Sequence, residues 1–321
     1  MDRRIALAIG LMLIVAVVPS LLFPPERPSV PAEGLPAVES ELPSEAPDLG
    51  VDSSSSVSQL QLTADTVPPP QAPVSEDAVE QLVVVESDLY QFVFSTRGAR
   101  LVSATPKDYD TFVPGESGPA QLIPENSRFL AYDLVFGRDT VSLADWHFEP
   151  SLTRLDVESP GAQLEWVAHR NSATVRITQT FTPDEYLFQV NGQFSGIIAD
   201  AGLVLVNLGP RLRLVEADSD WDFRMYATVV KARSPERTNV SSLDPGERVV
   251  LPGPFEWVAM KSRYFAAVVL TVEEGGSRIG GAVMTGGERS GRHETEADVA
   301  LSLPAPGGSF NHSVYVGPQD F

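Results

Sequence analysis

The sequence contains no cysteine, and this absence removes several kinds of site. No disulfide can form and no lipid can be attached through a thiol. The four histidines (His147, His169, His293 and His312) do not lie at metal-ligand spacing from one another, so a zinc site of the usual kind is not expected. Motifs of the nucleophile elbow, the P-loop and the dinucleotide-binding turn are also missing. We therefore predict no metal, no cofactor and no catalytic residue.

Positive charge is scarce. The chain has 23 Lys and Arg against 43 Asp and Glu, which gives a formal net charge of −20 and a pI near 4.5. A surface this acidic repels the phosphates of nucleic acids and of anionic lipid headgroups. Nucleic acid is therefore excluded as an expected partner.

Only one apolar run is long enough to span a membrane, at residues 5–23. As a helix it would be ~28 Å long, close to the ~30 Å hydrocarbon core of a bilayer. Arg3 and Arg4 precede it, and the next basic residues are Arg27 and then Arg97. This asymmetry predicts a transmembrane signal anchor over residues 1–23, with the N-terminus in the cytoplasm.

A cleaved secretory signal is the alternative for the same run. No cleavage site with small residues follows it, since the next residues are Pro24, Pro25, Glu26 and Arg27. An uncleaved anchor is therefore favoured. In both interpretations the rest of the chain is exported across the membrane.

Residues 24–79 are rich in Pro, Ser, Glu and Ala, and no aromatic residue occurs between Phe23 and Tyr90. Such a segment cannot bury enough apolar area to offset the entropy lost on ordering. We predict a disordered linker here. It would act as a tether, and a further role as a spacer stays open.

Residues 80–321 change character and predict a β domain. Tyr90, Phe92 and Phe94 alternate onto one face of a strand, and the pair Arg97-Gly98 forms the following turn. Residues 173–182 and 186–194 predict an antiparallel hairpin with one buried face. Further strands are predicted at residues 80–87, 100–104, 120–123, 130–136, 163–168, 203–208, 211–216, 224–231, 247–251, 255–272, 278–285, 297–303 and 309–316.

Many short strands without a convincing amphipathic helix favour an all-β fold, and a large antiparallel sandwich is the expected architecture. Residues 257–270 are interpreted as one long central strand, with a bulge near Ser262 where the alternation slips. The paired glycines at residues 275–276, 280–281, 286–287 and 307–308 suit hairpin turns and bulges better than a phosphate cradle.

Two acidic clusters lie at residues 218–222 and 294–298. Paired carboxylates could serve glycoside chemistry or bind Ca²⁺, but in so acidic a chain we expect both clusters to be solvated loops. Trp221 could offer a sugar-stacking platform, although a half-buried core aromatic is the commoner outcome. His169 and His293 are expected at exposed loops or strand edges.

Three segments resemble the YidC-type membrane protein insertase family of Gram-negative bacteria. Residues 83–101 are similar to the family's first periplasmic strands and end in its Thr-Arg-Gly turn, here Thr96-Arg97-Gly98. Residues 255–270 carry its Trp-Val-Ala and Tyr-Phe pattern, and residues 315–318 carry the Val-Gly-Pro that closes the domain. Their order after an N-terminal anchor makes the likeness fairly specific.

The resemblance implies a periplasmic β-supersandwich of the galactose-mutarotase type. It also implies a function in inserting, folding and assembling inner-membrane proteins, with and without the Sec translocon. Implied partners are nascent inner-membrane proteins, inner-membrane lipid, and the Sec translocon with its accessory subunits. The family's five membrane helices would follow Phe321, so we expect a fragment and assign no insertase residue. An anchored carbohydrate-binding or mutarotase-like protein is the alternative.

Overall fold

The computed structural model describes residues 79–125, 127–196, 202–271, 278–289 and 295–319. All of these residues belong to one compact unit, within Pro68–Phe321. The predicted anchor at residues 1–23 and the predicted linker up to residue 78 lie outside this part. Within it, no helix combines the length and the apolar character needed to cross a membrane.

Strands dominate the described part of the chain. One short helix, α1 (Ser219–Met225), and two 3-10 turns, Val240–Ser242 and Pro306–Gly308, accompany them. The strands are β1 (Leu82–Glu86), β2 (Tyr90–Ser95), β3 (Leu101–Pro106), β4 (Tyr132–Phe136), β5 (Asp139–Ser142), β6 (Glu149–Pro150), β7 (Arg154–Asp156), β8 (Ala162–Arg170), β9 (Ala173–Phe181), β10 (Leu187–Ser195), β11 (Gly202–Leu208), β12 (Ala227–Lys231), β13 (Pro235–Asn239), β14 (Arg248–Phe255), β15 (Trp257–Lys261), β16 (Phe265–Leu270), β17 (Ile279–Arg289), β18 (Thr295–Ala305) and β19 (Ser309–Pro318).

These strands form three sheets. The largest has nine strands in the order β13-β12-β15-β16-β19-β10-β9-β8-β6. A six-stranded sheet has the order β14-β17-β18-β11-β4-β5, and a four-stranded sheet has the order β3-β2-β1-β7. Neighbouring strands are antiparallel except for β1 and β7, which are parallel. The predicted all-β class with antiparallel sheets is confirmed.

Aromatic side chains join the four-stranded sheet to the nine-stranded sheet. Phe92 and Phe94 on β2 lie 5.5 and 6.0 Å from Phe188 on β10, measured between ring centroids. Phe94 also lies 6.2 Å from Trp166 on β8. All four side chains are buried. Because buried and partly buried side chains alternate from Tyr90 to Phe94, the three aromatics of β2 share the face that packs onto the neighbouring sheet, as the sequence predicts.

A second group of rings joins the six-stranded sheet to the nine-stranded sheet. Tyr132 on β4 lies 5.4 Å from Phe310 and 5.8 Å from His312, both on β19. The nine-stranded sheet is therefore one layer of a sandwich, and the two smaller sheets pack on its inner face. Strand β19 runs through the middle of that layer, between β16 and β10.

Two predicted turns are confirmed. Strands β9 and β10 pair from Phe181↔Phe188 to Thr174↔Ser195, which is the expected hairpin. Gly98 has a φ of +79°, and a Cβ there would lie 2.8 Å from the carbonyl oxygen of Ala144. Both the dihedral and the close approach require glycine at this position.

Residues 257–270 do not form one long strand, so that prediction is wrong. They form a tight hairpin in which β15 and β16 pair from Trp257↔Leu270 to Lys261↔Ala266. The slip in alternation near Ser262 marks the turn rather than a bulge. Apolar residues continue on both sides because each arm lies inside the nine-stranded sheet and buries its inner face.

Three other segments also differ from prediction. Residues 120–123 and 211–216 are not strands, although single backbone bonds tie them to their neighbours, for example Leu122 N to Ala104 O at 2.8 Å and Arg213 N to Leu122 O at 2.8 Å. Isolated bonds of this kind satisfy a buried backbone without forming a ladder. The first part of the predicted strand 224–231 belongs to α1, and the strand begins at Ala227.

The glycine pairs behave as expected where they are described. Gly280-Gly281 lies opposite a register shift between Pro252 and Phe255, and Gly286 lies at a register shift between β17 and β18. Gly307-Gly308 forms the turn before β19. Gly275 and Gly276 lie outside the described residues.

Candidate functional site

Several segments meet at one end of the nine-stranded sheet. The β15–β16 turn is there, because Phe265 pairs with Pro318 at the end of β19. Gln319 continues past that end and holds the turn, since its backbone N–H donates to Tyr264 O at 2.6 Å and its side-chain Nε2 donates to Ser262 O at 2.9 Å. Helix α1 lies beside the same turn.

Asp222 of α1 connects the helix to the turn. Its Oδ1 accepts the backbone N–H of Arg263 at 2.9 Å, and the backbone N–H of Val215 faces the same carboxyl group and acts to lower its pKa. Asp222 is buried, with an exposed fraction of 1%. The prediction of a solvated acidic loop at residues 218–222 is therefore wrong for this residue, although Asp218 and Asp220 are exposed.

The local sequence explains why a helix forms here. Asp218 is its N-cap, and its Oδ1 accepts the backbone N–H of Trp221 at 2.9 Å. Asp220 and Asp222 lie in the first turn and Arg224 in the last, which suits the helix dipole. This cap and charge pattern is the sequence signal that could have predicted the helix.

Burial raises the pKa of Asp222, and the hydrogen bonds from Arg263 and Val215 oppose that rise. The pKa of Glu216 is also raised, first by burial and then by the charge of Asp222, whereas the guanidinium of Arg263 opposes it. The two carboxyl groups and Arg263 therefore form one coupled group beside the turn.

Exposed aromatic rings and arginines surround this group. The guanidinium of Arg263 lies 5.2 Å from the ring centre of Trp221 and 4.6 Å from that of Tyr264. Arg224 lies 5.7 Å from the Trp221 ring. Trp221 is 48% exposed and Tyr264 is 43% exposed. Trp221 is therefore about half exposed, and two arginines lie against its ring.

Phe112 belongs to the same end of the molecule. Its backbone N–H donates to Val215 O at 2.7 Å, and the backbone N–H of Val215 in turn faces the Asp222 carboxyl group. The Phe112 side chain is 64% exposed. We call Phe112, Trp221, Tyr264, Arg224 and Arg263 the aromatic patch.

The second acidic cluster approaches the same region through Tyr226. The Tyr226 hydroxyl accepts the backbone N–H of Leu212 and is fully buried, which raises the pKa of the phenol. The charges of Asp222 and Glu296 both act on it. Glu296 in turn pairs with Arg211 at 3.6 Å. One residue from each acidic cluster therefore lies near Tyr226, but the phenol between them is a structural group.

The outer face of the nine-stranded sheet carries a shallow apolar groove of about 420 Å³ next to the aromatic patch. Lys261 is its one cation, and burial followed by the nearby charge of Arg237 lowers the pKa of the lysine. We call this surface the groove. It is lined by Val229, Trp257, Ala259, Lys261, Ala266, Val268, Leu270 and Gln319.

The histidines do not come together. His312 is fully buried in the core, its Nε2 lies 3.3 Å from the Tyr132 hydroxyl, and burial lowers its pKa to about 3. His169 lies at the end of β8, with Nδ1 3.0 Å from Thr174 Oγ1, and His147 forms an isolated bridge with Arg97. His293 lies outside the described residues. Among those described, no three His, Asp or Glu side chains group closely enough to hold a metal ion.

The fold and the site together describe an antiparallel β-sandwich whose distinctive surfaces are an aromatic patch and an apolar groove. The chain belongs to the family of the YidC periplasmic domain, whose model matches residues 82–321. This confirms the resemblance found in the sequence.

Similar curated proteins carry the name membrane protein insertase YidC. The protein of Chloroherpeton thalassium is 25% identical over 255 residues, which cover 75% of this chain and 43% of that protein. The protein of Chlorobaculum parvum is 22% identical over 353 residues, covering 100% of this chain and 54% of that protein. The chain thus spans about half the length of these relatives.

Solved structures similar to this one include a galactose mutarotase-like protein from Lactobacillus casei. It is 12% identical with a TM-score of 0.43, and the match covers 74% of this chain and 100% of that protein. A galactose mutarotase related enzyme from Lactobacillus acidophilus is 10% identical with a TM-score of 0.41, covering 74% of this chain and 97% of that enzyme.

Proposed function

We propose that this chain is the anchored periplasmic portion of a membrane protein insertase. Residues 1–23 hold it in the bacterial inner membrane with the N-terminus in the cytoplasm. Residues 24–79 are the tether, and residues 80–321 form the periplasmic domain. The observation that carries the proposal is the family match over residues 82–321, together with relatives named as insertases.

The domain contributes docking surface rather than chemistry. The groove on the outer face of the nine-stranded sheet is apolar and shallow, which suits contact with the apolar side chains of a protein segment. Its occupants are nascent inner-membrane proteins, and the Sec translocon with its accessory subunits is a further partner. Insertion with and without that translocon belongs to the whole protein.

A photo-cross-linking residue at Val268 tests the docking role. Val268 lines the groove, whereas Gln189 lies exposed on β10 of the same sheet and outside the groove, so it serves as the control. With a stalled nascent membrane protein in native membranes, Val268 should give products with that chain or with the translocon, and Gln189 should give few. Equal yields at both positions would contradict the proposal.

The topology has its own test. A reporter enzyme fused after Phe321 should be active in the periplasm, because a single anchor with a cytoplasmic N-terminus exports all that follows. Activity on the cytosolic side would exclude the proposed arrangement.

The alternative of a carbohydrate-active protein has no supporting geometry among the described histidines. His312 is enclosed between the sheets beside Tyr132 and Phe310, so a sugar in solution cannot reach it. Isothermal titration with hexoses should give no heat of binding. A saturable heat of hexose binding would contradict this expectation and support a carbohydrate-binding function instead.

A further inference from the structure

We infer that the aromatic patch is a contact surface for the bilayer interface, through which the domain rests on the membrane that anchors it. The inference rests on the proposed function, because that function places a bilayer within reach. The ligand is the zone of phospholipid headgroups and upper acyl chains, and the three rings enter it while the two arginines meet the phosphates.

The distribution of exposed rings is the first argument. Among residues 79–125, 127–196, 202–271, 278–289 and 295–319, three aromatic side chains are exposed: Phe112, Trp221 and Tyr264. Trp221 and Tyr264 both lie against Arg263, and the backbone of Phe112 is bonded to Val215, so the three residues belong to the same end of the nine-stranded sheet. Exposed rings scattered at random would not be confined to one end.

The chemistry of the patch is the second argument. Tryptophan and tyrosine are enriched where proteins meet the headgroup region of a membrane, because each ring is apolar in body and polar at one edge. Arginine forms strong paired hydrogen bonds to phosphate. Arg224 and Arg263 already lie against the rings, so the guanidinium groups are held beside the surface that would enter the lipid.

The overall charge limits which lipid the patch can meet. A chain with a net charge of −20 is repelled by a strongly anionic surface, but screening confines that repulsion to roughly 8–10 Å at physiological salt. The patch therefore suits a bilayer rich in zwitterionic phospholipid. An anchor in the same chain keeps the domain at a high effective concentration near the surface, so a weak contact is sufficient.

The absence of cysteine makes the test direct. In the full chain reconstituted into vesicles of phosphatidylethanolamine and phosphatidylcholine, single cysteines carry a nitroxide at Ser219→Cys beside Trp221 or at Ser172→Cys. Ser172 is exposed in the β8–β9 turn, at the opposite end of the nine-stranded sheet. The label at residue 219 should be protected several-fold from a water-soluble relaxation agent relative to the label at residue 172.

A set of substitutions provides the matched control. Replacing Phe112, Trp221 and Tyr264 together by serine should abolish the protection at residue 219. Replacing Leu152, Leu203 and Val250 by serine should not, since these exposed apolar residues lie outside the patch.

The outcomes separate this inference from the proposed function. A chain that stays in the vesicles after alkaline washing, but whose label at residue 219 is as accessible as that at residue 172, overturns the contact and leaves the anchor intact. A chain that washes off overturns both. Equal effects of the two serine sets would also overturn the inference, because the contact would then have no preferred surface.

Discussion

Asp222 accepts the backbone N–H of Arg263 at 2.9 Å, and this bond ties helix α1 to the turn of a hairpin 41 residues further along the chain. The Asp222 end of this bond is buried, and the exposed rings of Trp221 and Tyr264 lie at the Arg263 end. It explains how a turn of Ser262, Arg263 and Tyr264, which lacks glycine, proline and asparagine, holds a fixed shape. The aromatic patch depends on it, because Arg263 and Tyr264 lie in the turn and Trp221 lies on the helix.

Replacing Asp222 by alanine should therefore destabilise the domain. The N–H group of Arg263 would lose its acceptor in a buried site, which costs about 1–3 kcal/mol. Denaturant unfolding followed by tryptophan fluorescence should show a lower midpoint. Ser219→Ala, at an exposed position of the same helix, is the control and should change stability by less than ~0.5 kcal/mol.

The conservative variant Asp222→Asn separates hydrogen bonding from charge. Its side-chain oxygen keeps an acceptor for Arg263, and the raised pKa of Asp222 means that the folded state favours the neutral form. The native aspartate thus loses stability as pH rises through its folded pKa, whereas asparagine does not. At neutral pH the asparagine variant should be at least as stable as the native chain. A loss as large as that of the alanine variant would contradict this account.

His312 should make the domain less stable in acid. Its pKa is lowered from 6.5 to about 3 by burial, so the unfolded chain binds a proton that the folded state refuses. The free energy of unfolding that is linked to His312 is therefore greatest above pH 6.5. It falls as the pH drops from 6.5 toward 3, by up to about 1.4 kcal/mol per pH unit. Unfolding free energies measured between pH 7 and pH 4 should show this slope.

His312→Gln should flatten that profile, since glutamine takes no proton in this range. His169→Gln, at a partly exposed position on β8, provides the matched control and should leave the slope unchanged. A native slope that persists in His312→Gln would assign the acid sensitivity to other groups.

The parts of the fold that follow from local pattern could be predicted from the sequence. Alternation places Tyr90, Phe92 and Phe94 on one face, and a pattern with a period of two fixes that face whatever sheet the strand joins. The β9–β10 hairpin is likewise set by its own short loop and by the alternation in its arms.

The β15–β16 turn could not be read in this way. Ser262 is the one turn-forming residue in it, with an Oγ that accepts the backbone N–H of Phe265 at 3.3 Å. Two further groups that hold the turn, Asp222 and Gln319, are remote in sequence. The aromatic patch could not be predicted from the sequence either, because Phe112, Trp221 and Tyr264 come from three separate segments. Helix α1 is different, because its N-cap residue, Asp218, is a local signal that the sequence itself carries, although it stands in an acidic stretch that otherwise favours a solvated loop.

Gly317, in the Val-Gly-Pro motif, is explained by a contact with Tyr186. A Cβ at Gly317 would lie 2.7 Å from the Cγ of the Tyr186 ring, which is closer than carbon atoms approach. The tyrosine is itself buried between β19 and its neighbours, and its ring lies 6.2 Å from that of Tyr315, so it cannot swing aside freely. Gly317→Ala should cost about 1–3 kcal/mol, typical of overpacking in a dense core.

The control for Gly317→Ala is Ser309→Ala, at an exposed position on the same strand, which should have little effect on the unfolding midpoint. A second variant that combines Gly317→Ala with Tyr186→Leu should recover part of the loss caused by the glycine change, because the smaller side chain makes room for the new methyl group. Additive effects of the two substitutions would show that the ring is not what excludes a side chain at residue 317.

Phe188 and Phe112 provide a matched pair that separates stability from surface contact. Phe188 is buried and packs against Phe92, Phe94 and Phe181, so truncation leaves a cavity between the two sheets. Phe188→Ala should lower the free energy of unfolding by about 3–5 kcal/mol.

Phe112→Ala removes an exposed ring and should change stability by less than ~0.5 kcal/mol, although it removes one of three rings proposed to enter the bilayer. Both variants can be measured by denaturant unfolding and by the protection of a label at residue 219 in vesicles. A large stability loss in Phe112→Ala would mean that this ring supports the fold, and its exposure would then carry no information about the membrane.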